Sequence, residues 1–378
     1  MIFKKIFIVA SILLLVVLIF FGIYTVAFKS DETKIIKNNT EEIKGKQTDI
    51  TDVLSKKIVN ITSDSVVSAT ISNDGEVIKY YDAIDGRAWT MTERGTNQKV
   101  LSSDTTRGVP ISAKWSPDSE STILKYDNGE IFVHNHVTGI DNKLRDGMDD
   151  VVWTGVGGKI LYKYYDKNTK ERTLNIADAD GTNWKKLTDL PFQFTTFVQI
   201  PSSVRAAFWP SADAQTNTEL FTVSTINESV PKKIFSDKYG ADFLFSPNGQ
   251  KILISSSSPD GKKIILGVMD KNGSNYIDLQ VPTIIKKAVW SKDNKTVYYA
   301  QPNNVPNDVI WPNDYNEKKI TTTDTFFKVD VTTGKKSRII ETDEIDEQID
   351  AINLFLSPDE DILFFTNRVN DLLYRLKL

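Results

Sequence analysis

The chain has 378 residues, two histidines and no cysteine, with 46 basic against 50 acidic side chains. Without cysteine there is no disulfide, zinc–thiolate centre, thiol nucleophile or lipid-bearing thiol to consider. The near-balanced, slightly acidic charge offers no basic footprint for nucleic acid.

Residues 6–28 form an uncharged apolar run, about 23 residues long. As a helix it spans roughly 34 Å, enough for the hydrocarbon core of a bilayer. It is longer than the roughly 7–15 apolar residues of a signal-peptide core, which favours an uncleaved anchor. Lys4 and Lys5 precede it, so residues 1–5 are expected in the cytoplasm and the bulk of the chain outside. An exported protein of this size without disulfides suits a bacterial cell envelope. Residues 29–52 are polar, without sustained apolar period, and read as a stalk.

Beyond the stalk, residues 53–378 read as one all-β domain. From Val66 onward, short β-type segments alternate with Gly, Asn, Asp and Pro clusters every 8 to 12 residues, the spacing of a sandwich, barrel or propeller. Self-similarity decides among these. The hairpin Ser246-Pro247-Asn248-Gly249 has look-alikes at Ser72-Asn73-Asp74-Gly75, Ser116-Pro117-Asp118-Ser119, Ser291-Lys292-Asp293-Asn294 and Ser357-Pro358-Asp359-Glu360, with a worn copy at Thr154-Gly155. Pro201-Ser202-Ser203 fits the spacing alone. The apolar residues just before these turns, Ile71, Trp115, Trp153, Ile200, Phe245, Trp290 and Leu356, lie 44, 38, 47, 45, 45 and 66 residues apart. A period near 40–45 with four strands per unit is that of a propeller blade. In the fifth unit the strands are expected at Ala241–Ser246, Lys251–Ser256, Ile264–Met269 and Tyr276–Gln280.

A second hairpin recurs as Asp178-Ala179-Asp180-Gly181-Thr182-Asn183 and Asp270-Lys271-Asn272-Gly273-Ser274-Asn275. Asp178 and Asp180 suggest a calcium loop, but turn geometry explains their repetition better. Together the two hairpins resemble the TolB-like, or WD-like, β-propeller repeats of bacterial envelope proteins, in which a Trp- or Phe-Ser-Pro-Asp-Gly turn is followed by an Asp-Gly-Thr-Asn type turn. The resemblance covers Val66 to Leu378 and is weakest from Phe192 to Lys238. It implies a fold and is nearly silent on function, since such propellers serve both as binding modules and beside peptidases.

Counting gives seven blades, the last ending after its third strand. The strand-like segment 57–62 is expected to supply the missing strand and join the ring. A six-bladed ring is the alternative.

Little in the chain points to chemistry. His134 and His136 share one face of a strand without a recognisable third ligand, so they read as polar strand residues. There is no Gly-x-Ser-x-Gly elbow, and the arginines are scattered. No catalytic residue, metal or cofactor is therefore assigned. The loops say more. Gln301 to Asp324 is a long second-to-third-strand connection containing Ile310, Trp311 and Tyr315. Loops of this length are uncommon unless functional or disordered, and Trp with Tyr is the residue mix of binding hot spots. Trp209 occupies the corresponding loop two units earlier. Asp149 and Asp150, and Asp343, Glu344, Asp346 and Glu347, sit in blade-to-blade loops at the same face, where they favour a basic partner segment. The reading is a non-enzymatic, membrane-anchored scaffold binding an envelope protein or peptide. The alternative is a degenerate hydrolase or carbohydrate-active propeller with a site in the central channel.

Overall fold

A computed structural model describes residues 56–102, 106–155 and 158–378. The expected anchor (6–28), stalk (29–52) and cytoplasmic end (1–5) lie outside the described residues. Among the described residues, no helix is long and apolar enough to cross a membrane.

After β1 (Ile58–Asn60), strands β2 (Val66–Ile71), β3 (Ile78–Asp82), β4 (Ala88–Met91) and β5 (Lys99–Ser102) form one sheet. A second comprises β6 (Ser112–Trp115), β7 (Ser121–Lys125), β8 (Ile131–Asn135) and β9 (Asp141–Lys143). The third holds β10 (Met148–Trp153), β11 (Lys159–Tyr165), β12 (Arg172–Asp178) and β13 (Lys185–Asp189). Seven strands then share one sheet: β14 (Thr195–Gln199), β15 (Arg205–Pro210), β16 (Asn217–Ser224), β17 (Lys232–Phe245), β18 (Lys251–Ser257), β19 (Ile264–Asp270) and β20 (Ile277–Val281). The fifth sheet contains β21 (Ala288–Trp290), β22 (Thr296–Asn303), β23 (Thr323–Asp330) and β24 (Lys336–Arg338). The last contains β25 (Ala351–Leu356), β26 (Ile362–Asn367) and β27 (Leu372–Lys377), with β1 on its outer edge. The result is an all-β, propeller-like arrangement of six antiparallel sheets.

The seven-stranded sheet departs from the expected repeat for a local reason. Strand β17 runs for 14 residues; its first half pairs with β16 and its second half with β18. No turn cluster separates the two halves. Asp237 (φ 73°) and Gly240 (φ 53°) kink the strand instead. A Cβ on Gly240 would meet the Pro312 ring at 2.8 Å, so glycine there also admits a neighbouring loop.

The recurring Ser-x-Asp/Asn hairpins have one shared mechanism. In each, the backbone N–H of the fourth residue donates to the serine carbonyl: Gly75 to Ser72 at 2.9 Å, Ser119 to Ser116 and Gly249 to Ser246 at 2.8 Å, Asn294 to Ser291 at 3.1 Å, Glu360 to Ser357 at 2.9 Å. That fourth residue always has positive φ, between 57° and 79°. In four of the five the serine Oγ also accepts from the backbone five residues on, as from Lys251 to Ser246 at 3.0 Å. Serine at the first position and glycine or a tolerant polar residue at the fourth are thus geometric requirements. The Asp178 and Asp270 hairpins close by a related device, each carboxylate accepting from the side-chain amide of the asparagine five residues on, Asn183 or Asn275, at 2.7 Å.

Strand alternation builds the core between sheets. Along β26, Leu363 and Phe365 pack toward Phe326 of β23, whereas Ile362 and Phe364 pack toward Ile78 and Tyr80 of β3. The first and last sheets therefore share a core. Strand β1 adds to that join: Ile58, Val59 and Asn60 pair antiparallel with Leu376, Arg375 and Tyr374.

Candidate functional site

The long β22–β23 connection folds back over the sheets as a cap. The strands flanking it pair throughout, from Thr296 opposite Asp330 to Asn303 opposite Thr323. Between them lies a single helical turn, α1 (Asn313–Asn316). Asp314 accepts the Ile310 N–H at 2.7 Å, closing the turn on itself. Val309, Trp311 and Tyr315 bury their side chains with Ile284, and Trp311 stacks on Tyr315 with centroids 5.5 Å apart.

Distant loops hold the cap in place. The Trp311 N–H donates to the Gly261 carbonyl at 2.7 Å. Asn313 accepts from Ala214 N–H at 2.9 Å and donates to Asp213 at 3.0 Å. Lys286 donates to Asn316 at 2.7 Å, and Arg368 to the Tyr315 carbonyl at 2.9 Å.

Beneath the cap lies a buried charge network. Lys287, Asp324 and Asp350 are fully buried, and the ammonium sits 2.6 Å from each carboxylate. The Tyr315 hydroxyl donates to Asp350 at 2.6 Å. Arg368 stacks 4.0 Å above the Tyr315 ring and approaches Asp350 to 3.3 Å. Burial opposes ionisation of Asp350, but Lys287 and the Tyr315 hydrogen bond outweigh it and hold the carboxyl below its usual range. Asp324 lacks the tyrosine and arginine contacts, and there burial prevails and raises the pKa. Burial and the Asp350 charge push the Tyr315 phenol well up. The group is neutral as a set, two cations to two carboxylates, which is how buried charge is tolerated.

This arrangement revises the expected aromatic anchors. Trp311 and Tyr315 are only 3% and 1% exposed. They are the inner face of the cap, not an exposed contact surface, because their apolar area and the tyrosine hydroxyl both find partners inside. Trp209, 1% exposed, lies within its sheet, with its indole N–H on Asp242 at 2.9 Å and its ring edge-on to Phe243. Ile310 is half-buried, its side chain close over Gly261, where an added Cβ would meet it at 2.8 Å.

The acidic candidates stay at the surface and are mostly engaged. Asp150 pairs with Lys114 at 2.6 Å and Asp149 with Lys163 at 3.5 Å. Glu344 caps a short turn by accepting the Glu341 N–H. Asp346 pairs with Lys56 at 2.8 Å, and Glu347 accepts from the Tyr374 hydroxyl at 2.7 Å. Asp343 is exposed. The partners of these carboxylates are Lys56, Lys114, Lys163, Glu341 and Tyr374, not the cap aromatics.

Of the two histidines, His134 is buried and His136 is half-buried. His134 meets Asp141 at 2.8 Å; His136 contacts the Thr122 hydroxyl at 2.8 Å and stacks on Trp115 at 4.9 Å. Burial, with His134 beside it, pushes the His136 pKa down to about 3. Among the described residues no three His, Asp or Glu side chains cluster as a metal site.

The cap has a second consequence, a groove of about 570 Å³ along its edge. Trp311, Val305, Pro302 and Pro306 form one side, and Ile264, Pro282, Lys262 and Lys263 the other. That second wall begins with Ser258-Pro259-Asp260-Gly261, another copy of the recurrent turn. Its Gly261 N–H donates to Ser258 at 2.8 Å, and Lys263 N–H donates to the Ser258 hydroxyl at 3.0 Å. Reading the repeat by its period passed over this copy because it lies on a different connection, β18–β19. Its near-ideal sequence, off register, was the available signal.

No family model matches the sequence, and no curated protein does. Solved structures match in shape. An oligogalacturonate lyase in complex with manganese superposes with a TM-score of 0.61 at 12% identity, over 85% of this chain and 93% of that one. The oligogalacturonate lyase of Vibrio parahaemolyticus gives 0.61 at 10% identity, over the same shares. The β-propeller domain of the Trilobed protease from Pyrococcus furiosus gives 0.56 at 12% identity, over 82% and 95%. The chain is β-propeller-like. At such identities the likeness concerns the fold alone.

Proposed function

We propose that this protein is a non-enzymatic binding scaffold of the bacterial cell envelope, anchored through residues 6–28, with its propeller outside the cytoplasm. The ring has seven blades in this reading, the seven-stranded sheet counting as two that share β17. Seven apolar clusters support that count, each bridging one consecutive pair of units and the last joining the final sheet to the first.

The observation that carries the binding role is the cap with its groove. A long insertion is held by four separate loops, and the surface feature it creates is a concave cleft with mixed apolar and charged walls. Its volume falls within the roughly 300–1,000 Å³ typical of ligand sites. The partner is an envelope protein or peptide. The carbohydrate-active alternative draws on the fold likeness only.

Photo-crosslinking in the cells that make the protein tests this, from a photoreactive residue at Asn307, an exposed position on the groove rim. A binding scaffold gives one dominant protein adduct. Absence of any adduct, with the protein intact at the membrane, removes the binding role of this face.

A further inference from the structure

We infer that the groove beside Trp311 recognises an acidic, extended peptide segment whose carboxylates flank aliphatic or proline side chains. The inference rests on the binding role proposed above and names the chemistry of the partner. It also reverses the charge expected of that partner from the acidic loops.

Charge complementarity carries the argument. Lys262 and Lys263 both line the groove, and neither takes part in an ion pair among the described residues. Asp260 is the one carboxylate in the lining, and its hydrogen bonds keep it ionised. It accepts from the Ser258 hydroxyl and from the Lys262 backbone N–H at 3.1 Å. The lining therefore carries two ammonium groups against one carboxylate, a net positive charge, with Lys262 acting on Asp260 and Lys263 outside any ion pair among the described residues. Most acidic candidates at this face, by contrast, already have lysine or tyrosine partners within the chain. A partner gains most from charge that the protein balances only in part, as it does here.

The apolar wall selects a peptide over a polyanion. Pro282, Pro302 and Pro306 with Ile264 and Val305 offer aliphatic surface and fixed backbone, over a Trp311 that is itself locked by stacking and by Gly261. Such a surface rewards side chains that can be dehydrated. A hydrated sugar acid would leave it uncovered. Preformed walls also spare the ordering cost that weakens binding by mobile loops.

The test uses the full-length protein in nanodiscs and fluorescence polarisation of labelled peptides. The probes are Pro-Glu-Ile-Glu-Pro and its charge-reversed form, Pro-Lys-Ile-Lys-Pro. The acidic peptide is expected to saturate, with affinity falling as salt rises and at least tenfold weaker binding of the basic one. The paired variant Lys262→Glu with Lys263→Glu is expected to invert that preference while keeping the melting temperature, since both side chains are solvated. Failure of the acidic peptide to saturate, or equal binding by the reversed variant, overturns the inference. So does selective binding of tri-galacturonate in its place, which returns the site to carbohydrate. A persistent protein adduct at Asn307 beside a failed peptide assay condemns only the stated chemistry. Loss of the adduct condemns the scaffold reading itself.

Discussion

Two loops at the same end of the propeller, the 304–322 connection and the acidic run 341–347, look equally like binding surface in the sequence. The structure treats them oppositely. The longer loop turns its most hydrophobic residues inward and secures them over Lys287, Asp324 and Asp350. The acidic run stays in water, organised by the Glu341–Glu344 capping pair and by contacts to Lys56 and Tyr374. Residue type indicates which loop is costly to expose, and partners elsewhere in the chain decide whether it is exposed. An aromatic insertion is evidence of burial until its polar neighbours have been counted.

If the contrast is real, substitutions beneath the cap cost far more than those in the acidic run. The largest effect is expected for Lys287→Met, which leaves two buried carboxylates sharing no ammonium. Breaking a buried pair in this way costs about 3–5 kcal/mol, read from denaturant unfolding of the full chain. Adding Asp324→Leu and Asp350→Leu should recover much of the loss, because an apolar set removes the unpaired charge. A loss near zero for Lys287→Met alone would mean that the carboxylates simply take up protons, and the network would not be what secures the cap. Next in size is Tyr315→Phe, which removes the hydroxyl donating to Asp350 at 2.6 Å while keeping the stack on Trp311. A hydrogen bond to a buried charged group is worth about 1.5–3 kcal/mol. The same unfolding measurement checks it, and a loss no larger than that of an exposed Tyr→Phe change would place Asp350 in the hands of Lys287 and Arg368 alone.

Much of the fold was legible because its determinants are local. The serine hydroxyl and the positive-φ fourth residue of each hairpin act within six residues, so the turns and the strands around them can be read from one window. In the fifth unit Lys251–Ser257 and Ile264–Asp270 fall within one residue of expectation. The fusion through β17 was hidden for the converse reason: a kink at Asp237 and Gly240 leaves no turn cluster to mark a boundary. The site was less legible still. Trp311 is covered through contacts to Gly261 and Ile284, and Tyr315 through Asp350 and Arg368. Nothing in Ile284-Ile285-Lys286-Lys287 announces that the second lysine is fully buried while the first reaches the cap helix. Sequence spacing reports which strand a residue belongs to, and long-range charge pairing lies beyond it.

The smallest expected effect is the sharpest check on the acidic half of the comparison. Neutralising Asp343, Asp346 and Glu347 together, as Asp343→Asn, Asp346→Asn and Glu347→Gln, removes the exposed Lys56 pair and weakens the contact from Tyr374. Exposed pairs of this kind contribute about 0–1 kcal/mol each, so the melting temperature should move by no more than a few degrees. With the partner's charge assigned as above, the crosslink from Asn307 should survive the triple change and fail in the lysine-reversed variant. If the adduct disappears when the acidic run is neutralised, the recruiting charge on this face is negative after all. The cap edge would then be a neighbour of the interface rather than its centre.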